Sequence, residues 1–307
     1  MPNLPALFRA GALAAPVLAS AAVLVAGVPA AHAQARERAL YVSAVDAAGV
    51  PVSALGPADV RVREDGVARE VLRVTPATDP MQIALLVDNS AVVAQQINDY
   101  RSALKAFVRK FSPPTEIAFL TFGDRPTVVT EYTPSTETVV SGIDRLFAQP
   151  SAGSYVVDAI GEAARGMQKR EAGRPVIVVV SSDGVEFSSR GYEQVLELVK
   201  AANAQLFVLS VHEGGADDSA ATASDEARWR AIVYDRGTRD SGGRREILLT
   251  SMSLEPALTK LADELLHQYK VVYARPTTLI PPEKTTVDSA REGVTVRGVL
   301  ARTGQGN

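Results

Sequence analysis

The sequence predicts an α/β protein: a mainly parallel sheet with helices on both faces, inserted in a small β domain built from both ends of the chain. Three observations predict it. Between Met81 and Gln268, short apolar runs such as Ile83–Val87 and Val176–Val180 alternate with segments whose apolar residues recur at helical spacing. Ahead of that region, Ala39–Val74 has the texture of short strands and turns. Behind it, "YKVVYA", "KTTVDS" and "GVTVRGVL" are strand-like with no helix between them, so ordinary crossovers cannot add them to a parallel sheet. Pairing with the early strands is the simplest arrangement.

Residues 1–33 read as a signal peptide. Arg9 gives a positive start, an Ala/Val/Leu stretch runs from Gly11 to Ala30, and Ala31-His32-Ala33 offers an A-x-A cleavage site before Gln34. The rival reading is an uncleaved anchor, since the stretch is nearly long enough to span a bilayer. Pro16, Pro29 and the small-residue ending favour cleavage. The expectation is a periplasmic or secreted protein with no membrane insertion after cleavage. The chain of 307 residues has no cysteine, which excludes a disulfide framework. A formal net charge of −3 gives no electrostatic reason to expect nucleic acid.

Residues 34–79 form the N-terminal β segment. Val60 and Val62 alternate with polar residues, Asp65-Gly66 signals a tight turn, and Asp79-Pro80 marks a break. Residues 80–268 are the α/β region. "IALLV" is a strand, and "VVAQQINDYRSALKAFVRKF" reads as a helix from Val92, with Ile97, Leu104, Phe107, Val108 and Phe111 on one face. "EIAFLTF" and "PTVVTEY" form a hairpin about Gly123-Asp124, and helices follow at 137–147 and 155–169. "PVIVVVSS" is a buried strand, "YEQVLELVKAAN" a helix and "QLFVLSV" a strand. After a polar stretch at 213–226 come a helix near 227–234, the strand "REILLT" behind Gly242-Gly243, and the helix "LEPALTKLADELLHQY". Residues 269–303 are expected to pair with 34–79, and 304–307 to be a disordered tail.

Ligands of open parallel sheets bind outside the carboxyl ends of the strands. Three segments place oxygen groups there: Asp88-Asn89-Ser90-Ala91-Val92, Gly153-Ser154, and Ser182-Asp183-Gly184. Two carboxylates and two hydroxyls, Asp88, Ser90, Ser154 and Asp183, suit a small hard cation such as Mg2+. The plainer alternative is that Ser90 and Ser154 cap helices and Asp183-Gly184 is a turn.

In this order the residues resemble the von Willebrand factor A domain, and specifically its bacterial exported, VWFA-related group. Asp88 and Ser90 match the first two positions of D-x-S-x-S, and Val92 departs at the third. "AGSYVVDAI" is similar to G-G-T-A-L-Y-D-A-I with Ser154 for threonine, and "SSDG" supplies Asp183. "VPVSALGPADVRVREDGV", "SGGRREILL" and "LADELLHQYKVVYARP" extend the likeness over most of the region after Gln34. The resemblance implies a Rossmann-like fold and a metal-ion-dependent adhesion site that binds a protein partner, with an acidic side chain completing the ion. It implies that Val92 removes a directly coordinating oxygen, leaving a degenerate site whose Mg2+ binds weakly or not at all.

The residues argue against an enzyme. No G-x-S-x-G elbow occurs, and Ser102-Ala103-Leu104-Lys105 lies inside a helical pattern without its companion motifs. After signal cleavage His212 and His267 are the remaining histidines. A magnesium-dependent phosphoesterase would want a carboxylate two residues after Asp88 or a glycine-rich phosphate loop, and the chain has Ser90 and no such loop. The expected function is an exported, non-enzymatic adhesion module. The alternatives are a metal-free scaffold of the cell envelope and, behind it, the phosphoesterase.

Overall fold

A computed structural model describes residues 36–182, 184–212, 224–276 and 280–302. The proposed signal peptide, Asp183, most of the polar stretch after His212, and the tail at 304–307 lie outside the described residues. Among the described residues no helix is long and apolar enough to cross a membrane.

The α/β region is built on a six-stranded sheet. Its strands are β5 (Gln82–Val87), β6 (Glu116–Thr121), β7 (Thr127–Thr133), β8 (Pro175–Ser182), β9 (Gln205–Val211) and β10 (Arg244–Leu248). The order is β10-β9-β8-β5-β6-β7, with β7 the one antiparallel edge. Because successive side chains point to opposite faces, β5 divides its apolar residues between two cores. Ile83, Leu85 and Val87 pack beneath α1 (Ile97–Val108), α2 (Thr136–Asp144) and α6 (Leu254–Leu266). Ala84 and Leu86 pack beneath α3 (Val156–Lys169) and α4 (Tyr192–Ala202). A further helix, α5 (Asp225–Ile232), runs on through a π-helical turn at Val233–Gly237 into a short α-helical turn at Thr238–Asp240.

The helix after β5 lies on one face and the helix after β8 on the other. A crevice therefore opens between the carboxyl ends of these two adjacent strands, at the topological switch point. Asp88 leaves β5 at that crevice.

The early and late strands do pair. They are β1 (Arg36–Val45), β2 (Val60–Glu64), β3 (Val67–Arg69), β4 (Val71–Pro76), β11 (Tyr269–Arg275), β12 (Thr285–Ser289) and β13 (Thr295–Leu300). One sheet runs β13-β1-β11-β4 and a second runs β12-β2-β3. They share a core of Leu40, Val42, Val60, Val62, Val271 and Tyr273. The turn between β2 and β3 carries positive φ at Asp65 (48°) and Gly66 (82°), the conformation expected of an Asp-Gly hairpin.

Buried polar groups fasten this β unit to the base of the α/β sheet. Arg174, 3 % exposed, donates to the carbonyls of Ala77, Asp79 and Leu265 and to Gln268 Oε1, the last two at 2.7 and 2.8 Å. Gln268 Nε2 donates in turn to Ser43 Oγ and Gln205 Oε1. Glu264, on α6, pairs with Arg244 on β10 at 3.0 Å and Arg297 on β13 at 2.8 Å.

The helix expected at 137–147 ends at Asp144 and the last helix ends at Leu266, but the largest difference from the sequence expectation is at the start of α1. The chain after Ser90 makes a 3-10 turn at Ala91–Val93, and α1 begins only at Ile97. Two loop contacts hold the intervening backbone: Ala91 N–H donates to the Ala152 carbonyl, and the Asn89 carbonyl accepts from Gln149 N–H. Those bonds dock the segment on the neighbouring loop before helical bonding can start.

Candidate metal site at the rim of the sheet

Asp88 is fully buried at the end of β5. Its Oδ1 accepts the Ser90 backbone N–H at 2.8 Å, which folds the loop back over the strand end. Its Oδ2 accepts from Ser182 at the end of β8, through the backbone N–H at 3.2 Å and the hydroxyl. The carboxylate thus spans the crevice between the two strands.

Ser154 reaches the same rim from the loop before α3. Its backbone bridges two neighbours: its N–H donates to the Val185 carbonyl at 2.7 Å, and its carbonyl accepts from Phe187 N–H at 2.8 Å. Its hydroxyl donates to Glu186 Oε2 at 3.0 Å. The loops meet at Gly184. A Cβ built there would stand 3.2 Å from Ser90 Oγ, 3.4 Å from Val92 Cγ2 and 3.9 Å from Ser154 Cβ. The Gly123 loop closes the other side, where an added Cβ would strike the Asn89 side chain and backbone at 2.7 to 2.8 Å. Its N–H donates to Asn89 Oδ1.

The capping alternative fails for both serines. Ser135 and Ser224 are true caps here, accepting the backbone N–H of Thr138 and Ala227. Ser90 makes no such bond to the turn it precedes. Ser154 is not the residue that caps α3, a position held by Tyr155, and its hydroxyl points to Glu186.

Ser90 Oγ is buried and hydrogen-bonds to none of the described residues. An unpaired buried hydroxyl costs about 1–3 kcal/mol, and a hard cation is a partner that would relieve the cost. Asp88, Ser90 and Ser154 are oxygen donors of the kind magnesium takes, so the residues present fit such an ion. At the third position stands Val92, half-exposed at 50 %, with a methyl where the motif has a hydroxyl. Asp183, the fourth expected ligand, lies outside the described residues.

Several contributors were given no role from the sequence. Ser182 shares the Asp88 carboxylate. Glu186 is buried at the amino end of α3, accepting from Ser154 and from the Ser188 hydroxyl and N–H. Burial pushes its carboxyl up from the ordinary value, against the opposing pull of Ser188, Arg230 and Ser154. Arg230 donates to the Gly184 carbonyl at 2.6 Å and stands 3.9 Å from Glu186 Oε2. Asp158 fixes the rest of this loop by accepting from Ser189 and from Arg190 N–H. The run "GVEFSSR" gave a signal, its polar residues so close behind "SSD", but the pattern alone reads as a solvated loop.

Around these polar groups the rim is apolar. Val92, Phe147, Val185 and Phe187 are each at least half exposed. The Phe187 ring lies against Tyr155 and over Gly153, and the Phe147 carbonyl accepts from the Asn89 side chain.

The model of the von Willebrand factor type A domain matches residues 82–234. No curated protein matches the chain. Among solved structures it is similar to a von Willebrand factor type A protein from Catenulispora acidiphila, at 9 % identity and a TM-score of 0.46, covering 87 % of this chain and 74 % of that one. It is similar to the manganese-loaded TRAP protein of Plasmodium vivax, at 14 % identity and a TM-score of 0.47, covering 74 % and 95 %. It is also similar to proximal thread matrix protein 1 of the mussel byssus with a zinc-occupied MIDAS motif, at 15 % identity and a TM-score of 0.46. That likeness covers 66 % of this chain, which spans about half the length of the mussel protein, 49 %. Through residues 82–234, the chain belongs to the von Willebrand factor type A domain proteins.

Proposed function

We propose that the chain is an exported, non-enzymatic protein-binding module whose adhesion site, at Asp88, Ser90, Ser154 and Asp183, is weakened by Val92. The single observation that carries the reading is the buried Ser90 hydroxyl, which hydrogen-bonds to none of the described residues and is set beside Ser154 and the Asp88 carboxylate at the switch point. Magnesium is the ion proposed, because the donors are all oxygen and the half-exposed third position is open to water. When bound, it would supply a positive centre to which an acidic side chain of a partner adds. The exposed apolar residues around the site suit burial against a protein surface. Export rests on Ala31-His32-Ala33 and the apolar run before it.

A second reading, a metal-free scaffold, is favoured by Val92 alone. Calorimetric titration with magnesium chloride separates the two. The wild-type chain should bind at millimolar metal, and Asp88→Ala and Asp183→Ala should not. Absence of binding by the wild type overturns the ion site. A pull-down from the source organism, with magnesium and with chelator, then asks whether partner capture follows the ion. Phosphate release from a generic ester is expected to be absent, and magnesium-dependent turnover would reinstate the phosphoesterase.

A further inference from the structure

We propose that Glu186 is a positioning residue for the ion: it accepts the hydrogen bond of the Ser154 hydroxyl, fixes that hydroxyl with its lone pairs free, and strengthens it as a ligand. The proposal rests on the adhesion-site reading above.

A serine hydroxyl has one proton and two lone pairs. Ser154 commits its proton to Glu186 Oε2 at 3.0 Å, so both of its lone pairs stay free to accept or to ligate, on a residue whose Cβ lies 3.9 Å from the Gly184 point that Ser90 Oγ also faces. The backbone enforces the pairing, because Ser154 and Glu186 are joined by the bonds from Ser154 N–H to Val185 and from Phe187 N–H to Ser154. The carboxylate cannot easily swing away. Its other oxygen is held by the Ser188 hydroxyl and N–H and, at 3.5 Å, by Val157 N–H in the first turn of α3. The side chain is fully buried, where a hydrogen bond to a carboxylate polarises its donor more than it would in water.

Arg230 supplies the counter-charge and a second function. At 3.9 Å from Glu186 Oε2 it is an electrostatic partner rather than a hydrogen-bond donor. Its 2.6 Å bond to the Gly184 carbonyl ties the same carboxylate environment to the residue following Asp183. Partners that orient a metal ligand and raise its basicity are commonly worth about 10–100-fold in affinity. In this chain that support falls on one of the two hydroxyls left after the loss at Val92.

The test uses the full chain after signal removal and manganese(II) as probe, because the free-ion paramagnetic resonance signal reports the bound fraction directly. Glu186→Gln keeps the shape and removes the charge. It should weaken manganese binding roughly 10-fold, while the metal-free melting temperature stays close to wild type. Ser154→Ala should also weaken binding, and adding Glu186→Gln to it should bring no further loss, because Glu186 acts through that hydroxyl. Unchanged affinity in Glu186→Gln, or losses that add in the double variant, overturns the proposal and leaves the ion site standing. If Glu186→Gln does not fold, Glu186→Asp, one methylene short of Ser154, should show the same loss, and unchanged binding there is equally fatal. A wild type that binds no manganese at millimolar concentration overturns the site and the proposal together.

Discussion

Val92→Ser is the substitution that most directly tests the reading of the rim. Serine Oγ takes the place of a valine Cγ, and Val92 Cγ2 already faces the point that Ser90 Oγ faces, 3.4 and 3.2 Å respectively from a Cβ placed on Gly184. The new hydroxyl therefore enters the ligand side of the loop without displacing a neighbour. The apolar surface forfeited is small. Full burial of a valine side chain is worth about 1.5–3 kcal/mol, and Val92 is 50 % exposed, so the stability loss should be near 1 kcal/mol or less.

The gain in binding should be larger. Replacing a coordinating water with a fixed oxygen is expected to tighten magnesium at least as much as restoring an outer partner, roughly 10-fold or more, or about 1.4 kcal/mol. Calorimetry with magnesium chloride on both proteins, beside thermal melts of the metal-free forms, measures the two effects separately. Equal affinities would refute the reasoning. So would a gain in metal-free stability matching the gain in affinity, because the serine would then be repairing a turn rather than a ligand set.

Three further outcomes follow from the way the β unit is joined to the α/β region. Truncation after His267 removes both neighbours of β1, the β11 partner of β4 and the β12 partner of β2, so residues 36–76 should become protease-sensitive; persistence of their resistance in a timed digest would exclude mutual dependence. Arg174→Met strands four acceptors, two buried and two part-buried, and should cost about 3 kcal/mol, lowering the calorimetric midpoint by roughly 6–12 °C; a loss below about 1 kcal/mol would mean that water replaces the guanidinium. Glu264 is subject to burial, which opposes ionisation, but Arg297 and Arg244 prevail and hold its carboxyl below 4.5. Its contribution is therefore present above its unfolded-state value and lost as pH falls through the lowered folded one. The melting-temperature gap between wild type and Glu264→Gln should narrow on acidification below about pH 4.5, and a gap constant with pH would show that the ion pairs do not drive it.

The elements visible in the sequence are those whose signal is local. Ile83–Val87, Val176–Val180 and the "QLFVLSV" run are central strands buried on both faces, and such strands read as continuous apolar runs. Asp88, Ser90 and Ser154 could be placed because strand ends and loop order fix where they emerge. The start of α1 could not, because Val92 and Val93 extend the helical pattern while contacts to Ala152 and Gln149 hold that backbone in a different shape. Glu186 was invisible for the same kind of reason. Nothing about a glutamate in a polar loop predicts complete burial, which comes from the amino end of α3, Ser154 and Arg230 closing over it. Arg230 itself sits on a short, weakly amphipathic helix whose polar texture suggests a solvated face.

The rim keeps its shape by means that do not require an ion, and this explains how Val92 is tolerated. Asp88 is held by Ser90 N–H and Ser182, Asn89 by Gly123 N–H, and Asp158 by the backbone of Ser189 and Arg190. The Ser90 bond folds its own loop, and each of the others joins two loops or strand ends that would otherwise splay. A hydroxyl at position 92 would contribute nothing to that lattice, because the residue stands half in solvent at its outer edge. On the proposed reading its loss therefore falls on ion affinity and leaves the fold intact. The converse holds for Asp88: its carboxylate braces the strand ends as well as facing the ion position, so Asp88→Ala should lower thermal stability as well as abolish metal binding, whereas Val92→Ser should change only the latter to any large degree. Melting both variants without metal distinguishes the two roles, and equal stabilities would mean that the Asp88 bonds are not what holds the rim together.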